Sequence, residues 1–184
     1  LPGAEMLASS AILDEKGQEI NFDPQDVASA HRPDKLEEAR AELDLYYCRM
    51  PFANPAYRLL FRCLREEKVP LCFHCSAGKD RTGVAAALVL LCLGVDRQTV
   101  LEDYLLSGRW RQPVMEAALK ALGPGEQNQA FVSLTLGVVP ELLGRSLDAI
   151  LRVYGDFGRY FRAEYGIDEI ERARLRQMYT EPAE

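Results

Sequence analysis

The sequence predicts an α/β fold, a mainly parallel central sheet flanked by helices with a helix-rich C-terminal half. Three observations carry this expectation. Residues 69–75, VPLCFHC, are a short apolar run bounded by breakers, which suits a strand buried on both faces. Residues 81–93 have the Ala and Leu content and the length of a buried helix, and they end at Gly94. A glycine-bearing loop joins the two, so the unit is strand, loop, helix, and leucines at helical spacing continue toward the C-terminus.

In chain order, residues 4–13 allow a strand, DEKGQEINFDP after it reads as a solvated loop, and the charged residues 31–47 allow a short helix. Asn54 is a good N-cap, and Pro55 fits the first helical position. Tyr57, Leu60, Phe61 and Leu64 then form one apolar face, so a helix is expected to about Lys68. The strand and buried helix described above follow. Asp96 caps a further helix over 97–107, which Gly108 ends. Helices are then expected over 114–122, closed by GPG, and over 140–154, 156–165 and 168–179, the last opening with D-x-x-E. Trp110 and residues 125–131, GEQNQAF, read as a helical connector or as part of a lid.

The totals exclude several function classes. A chain of 184 residues with 48% hydrophobic residues supports one domain over 1–184 with a real core. A net charge of -6 leaves no basic footprint for nucleic acid, so an anionic ligand must be met by a local positive site. The five cysteines, Cys48, Cys63, Cys72, Cys75 and Cys92, lack framework spacing and read as reduced thiols. A cytoplasmic protein is expected, with secretion left open because the chain begins LPGAEM without an initiator methionine. The longest apolar run, residues 84–93, is shorter than the roughly 18 residues of a membrane span, so no transmembrane segment is expected. Oligomeric state is not legible from the sequence.

The loop HCSAGKDRTG, residues 74–83, carries the chemistry. Cys75 leaves the expected strand and Arg81 opens the expected helix. The N–H groups between Ser76 and Arg81, Ala77 included, can point inward as an anion nest. Gly78 and Gly83 permit a tight backbone path and its close approach to helix and ligand. The positive end of the helix favours the Cys75 thiolate, and Arg81 offers a permanently charged fork to two phosphate oxygens. Thr82 can donate its hydroxyl to the thiolate, and His74 takes an orienting role from the opposite side of the strand end.

Other loop chemistries fit worse. A nucleotide-binding G-x-x-x-x-G-K-[ST] loop is ruled out, because Phe73 stands where its first glycine belongs and Asp80 follows Lys79. A zinc site from Cys72, His74 and Cys75 lacks a second cluster, His31 being the only other histidine. Strand geometry aims Cys72 and Cys75 to opposite faces, which disfavours a redox pair, although Cys72 could shield Cys75 as a disulfide under oxidation.

HCSAGKDRTG resembles the H-C-x-x-G-x-x-R-[ST] signature of the cysteine-dependent tyrosine and dual-specificity phosphatases. The longer stretch HCSAGKDRTGVAAALVLLCLGV, with LEDYLLS after it, is similar to their bacterial tyrosine/serine branch, as is the tail YGDFGRYFRAEYGIDEIERARLR. The likeness runs from about Met50 to Tyr179, with a divergent stretch over 110–137. It implies a phosphatase-like fold and a metal-independent, cofactor-free hydrolysis of phosphomonoesters through a phosphocysteine on Cys75. The substrates it implies are phosphotyrosine proteins, with phosphoserine, phosphothreonine or phosphoinositides as extensions. The C-x-x-G-K-x-R spacing around Lys79 is similar to that of phosphatases acting on inositol lipids. The branch also carries earlier strands, with an N-F-R-D-like motif and a D-L-R strand end, that have no counterpart here. The expected domain is therefore truncated, completed by strands from elsewhere, or a member that has lost them, and its sheet has an exposed edge.

The resemblance places a mobile acid where a strand gives way to a glycine-containing loop, which makes Asp14 the first choice for protonating the leaving group, Asp80 the rival and Asp44 the third. A phosphate-binding module without turnover is the second functional reading. Sulfur transfer or arsenate reduction is third, since Arg81 and the amide nest suit a tetrahedral oxyanion held for attack.

Overall fold

The computed structural model describes residues 35–181. Nine helices follow one another there: α1 (Leu36–Arg49), α2 (Pro55–Arg65), α3 (Asp80–Cys92), α4 (Arg97–Leu106), α5 (Gly108–Leu122), α6 (Glu126–Thr135), α7 (Pro140–Tyr154), α8 (Phe157–Tyr165) and α9 (Glu169–Tyr179). No strand occurs among the described residues, and this corrects the expectation of a parallel central sheet. Residues 69–75 carry no regular secondary structure, and Val69 and Phe73 are 49% and 39% exposed. A strand exists only where a neighbour satisfies its N–H and C=O groups, and no described segment lies alongside this one. The expected strand over 4–13 lies outside the described residues.

α3 forms the centre of the domain. It is apolar nearly all round, with Val84 and Leu88 fully buried, and it packs against α4, α7 and α8. α1 lies along α7, and α2 along α8. Between α2 and α8 an aromatic cluster fills the core: the Phe61 ring stacks on Tyr165 with centroids 4.2 Å apart and meets Phe161 edge-on at 5.7 Å. α5 buries no residue, and its Trp110 is 85% exposed.

Local sequence explains most helix ends. The Asn54 side chain accepts from the N–H groups of Ala56 and Tyr57, and Pro55 opens α2. Asp96, Asp156 and Asp168 cap α4, α8 and α9 in the same manner. The structure starts α5 well before position 114: Gly108 opens this helix, and Pro113 lies inside it, where it can donate no backbone hydrogen bond.

The C-terminal end of α3 is closed from a distance. Arg172 of α9 donates from Nη2 to the Leu91 carbonyl at 3.1 Å and from Nε to the Cys92 carbonyl at 3.3 Å, while Arg176 donates from Nε to the Leu93 carbonyl at 2.7 Å. Two arginines thus satisfy carbonyls that every helix leaves orphaned at this end, and their charge suits the negative pole of the dipole. Replacing Arg172 by Ala is expected to lower the unfolding free energy by about 2 kcal/mol, read from the urea midpoint, with Arg172→Lys recovering part of the loss.

Candidate active site

The chain enters α3 through residues 74–79, and no side chain caps this end of the helix. Cys75 is partly exposed, as are Arg81 and Thr82, while Ser76 and Gly78 are exposed and Ala77 is half-buried. Gly78 has φ +68°, a left-handed conformation that glycine adopts without strain, and a side chain there would meet open space. The backbone can therefore be approached closely at this point.

Burial pushes the Cys75 thiol up, but four effects outweigh it: hydrogen bonds from the Thr82 hydroxyl and from the backbone at Thr82 and Gly78, and the Arg81 charge. The net result is a thiol below its ordinary value. The Thr82 hydroxyl is buried and engages no other hydrogen-bond partner among the described residues, which leaves it to act on the Cys75 sulfur. Cys92 shows the opposite case, pushed up to about 11 mainly by burial. His74 is exposed, and its Nδ1 lies 3.4 Å from the Cys75 carbonyl oxygen, a contact along its own backbone.

Lys79 turns inward. It is 2% exposed, and its ammonium meets the Asp80 Oδ1 at 3.0 Å. The same Oδ1 accepts from the Tyr47 hydroxyl at 2.5 Å, and that hydroxyl lies 2.8 Å from the hydroxyl of Tyr104. A phenol has one proton, and a carboxylate can only accept. Tyr47 therefore donates to Asp80, and Tyr104 donates to Tyr47. Gly83 makes the arrangement sterically feasible: a Cβ there would stand 2.6 Å from Cε2 of Tyr104, so the glycine admits the ring of α4 against the first turn of α3. A third tyrosine, Tyr57 of α2, donates to the Arg81 carbonyl at 2.7 Å. Tyr46 stands near the charges of Arg81, Asp80 and Cys75, and burial pushes its hydroxyl up to about 12.

Of the three carboxylates weighed as the acid, Asp80 opens α3 five residues after Cys75 and is engaged by Lys79 and Tyr47. Asp44 accepts from Nε of Arg145 on α7 at 3.2 Å, beside Cys48. Asp14 lies outside the described residues. Among the described residues no group of His, Cys, Asp and Glu is arranged to hold a metal ion, and no single helix is long and apolar enough to cross a membrane. The four tyrosines around the loop were not singled out from the sequence as site residues. Tyr57 had been read as part of an apolar helix face, and Tyr104 lies within the LEDYLLS stretch.

Residues 6–181 match the tyrosine phosphatase family. The chain belongs to that family. It is 34% identical over 143 residues to the triple specificity protein phosphatase PtpB of Mycobacterium tuberculosis, which covers 71% of this chain and 51% of that protein. To a tyrosine-protein phosphatase of Nostoc commune it is 33% identical over 79 residues, 42% of this chain and 25% of the relative. The chain thus spans about half the length, or less, of these relatives.

The lowered thiol has a direct consequence. Alkylation of Cys75 by iodoacetamide, followed by peptide mapping to separate it from exposed Cys72, should reach half its maximal rate at a lower pH than for a free cysteine. Thr82→Ala should move that midpoint upward, since the variant loses a donor to the thiolate.

Proposed function

We propose that this chain hydrolyses phosphotyrosine. Cys75 Sγ attacks phosphorus, and the bond from phosphorus to the tyrosine oxygen breaks as an acid protonates that oxygen. Water then attacks the phosphocysteine, the P–S bond breaks, and inorganic phosphate leaves. Thr82 donates to the departing thiolate, while Arg81 and the loop amides bear the charge that spreads over the equatorial oxygens. The observation that carries this reading is a thiol held below its ordinary value by donors of its own loop, in a chain of the tyrosine phosphatase family.

The same loop narrows the substrate. Lys79 is withdrawn from solvent onto Asp80, so in this conformation it offers no charge to a second phosphate, and this counts against recognition of an inositol lipid through that side chain. A wider range that includes phosphoserine and phosphothreonine is favoured by the name of the mycobacterial relative alone.

The test is phosphate release from a phosphotyrosine peptide and from phosphoinositides, side by side in chelator, by this chain and by its Cys75→Ser variant. Release from the peptide is expected, inhibited by orthovanadate and reduced at least about a thousandfold by the substitution. Binding of vanadate with no release by either protein would favour a phosphate-binding module. Turnover of thiosulfate would point to sulfur transfer.

Asp14 is our choice for the leaving-group acid. Asp14→Asn should lower kcat for the phosphotyrosine peptide by roughly 10²- to 10⁴-fold. It should have far less effect on p-nitrophenyl phosphate, whose leaving group needs little protonation.

A further inference from the structure

Two consecutive residues at the start of α3, Lys79 and Asp80, send their side chains away from solvent, and their amides lie between the Gly78 and Thr82 backbone groups that act on the Cys75 sulfur. The peptide planes beside the sulfur are therefore set in part by what the two side chains grip. Asp80 grips Lys79 and Tyr47, and Tyr47 is gripped in turn by Tyr104. Tyr47 itself is fully buried, and its own carbonyl accepts from the Ser146 hydroxyl of α7 at 2.6 Å, so the anchor is rigid. Burial also pushes the Tyr47 hydroxyl well above its ordinary value, which keeps it a donor at every working pH.

We propose that Tyr47 and Tyr104 are positioning residues for the reaction at Cys75: through Asp80 they hold Lys79 inside the domain and so fix the loop amides around the sulfur. The inference rests on the phosphatase reading for its kinetic consequence, though not for its structural one. Without the Tyr47 hydroxyl, the Asp80 carboxylate loses a charge-assisted hydrogen bond in a part-buried setting. Asp80 and Lys79 can then turn toward water, and the amides that stabilise the thiolate and the transition state turn with them. A displacement of the donors by an ångström is enough to lose one to two orders of magnitude in rate.

The experiment compares the wild-type chain with Tyr47→Phe, Tyr104→Phe and a control, Tyr160→Phe. The control removes an equally buried hydroxyl that donates to the Pro51 carbonyl and meets the Tyr165 hydroxyl at 2.8 Å, so it has no hydrogen bond to Lys79, Asp80, Tyr47 or Tyr104. Each protein is assayed for kcat and KM on the phosphotyrosine peptide, for the pH midpoint of Cys75 alkylation, and for thermal unfolding. Tyr47→Phe is expected to lower kcat about tenfold or more, to change KM little, and to raise the alkylation midpoint. Tyr104→Phe should move both in the same direction by less. Tyr160→Phe should lower thermal stability while leaving kcat and the alkylation midpoint at wild-type values. A folded Tyr47→Phe with wild-type kcat and midpoint overturns the proposal, as does a Tyr160→Phe that shifts both as much. Should Tyr47→Phe not fold, Tyr104→Phe, which leaves the bond between Tyr47 and Asp80 in place, decides the question on the same two readouts. Alkylation needs no turnover. A wild-type chain that releases no phosphate therefore refutes the functional reading, while the alkylation midpoints still decide the positioning role.

Discussion

An ammonium group at 2% exposure needs a counter-charge, and Lys79 finds it in the neighbouring Asp80. Removing water from the ammonium costs several kcal/mol, which a part-buried carboxylate offsets best when further hydrogen bonds hold it in place. The Tyr47 hydroxyl supplies such a bond, and its position follows from α1 lying along α7. Much else at the site follows from this contact. It turns the two side chains after Gly78 inward, leaves the backbone of the loop as the surface presented to a ligand, and requires a glycine at position 83 so that Tyr104 can reach Tyr47.

α3 connects the site to the core. Its C-terminal carbonyls are taken up by Arg172 and Arg176, whereas no side chain caps its N-terminus, where the loop meets Cys75. The helix is thus closed by side chains at its C-terminal end only. An anion at its N-terminal end gains from the N–H groups of the first turn and from the dipole. The donors that lower the Cys75 thiol are part of the same turn, so in the proposed reaction nucleophile and anion site share one local structure.

Much of this was legible in the sequence, and the parts that were not have physical causes. The caps Asn54, Asp96, Asp156 and Asp168 act over three residues, so a local pattern shows them and the structure agrees. The loop from His74 to Gly83 was singled out by its local pattern, and the structure sets Cys75 among donors from Thr82 and Gly78. The strand over 69–75 was inferred from a short apolar run bounded by breakers, but a strand is defined by its neighbours, and no described segment supplies one. The inward turn of Lys79 was hidden for a related reason. A lysine in a glycine-bearing loop reads as facing water or ligand, and its actual surroundings depend on Tyr47 and Tyr104, residues far apart in the chain that only the packing of α1, α3 and α4 brings together. Gly83 looked like a requirement of the loop path, whereas the close approach it permits is to the ring of Tyr104.

The central claim is that Cys75 becomes covalently phosphorylated during turnover. Acid quenching of the chain in the steady state with a phosphotyrosine peptide, followed by peptide mass spectrometry, tests it most directly. The account predicts a phosphoryl group on the peptide containing Cys75, absent from Cys75→Ser. Sustained phosphate release with the phosphoryl group on another side chain, or with none trapped on Cys75 when water attack is the slow step, would contradict it.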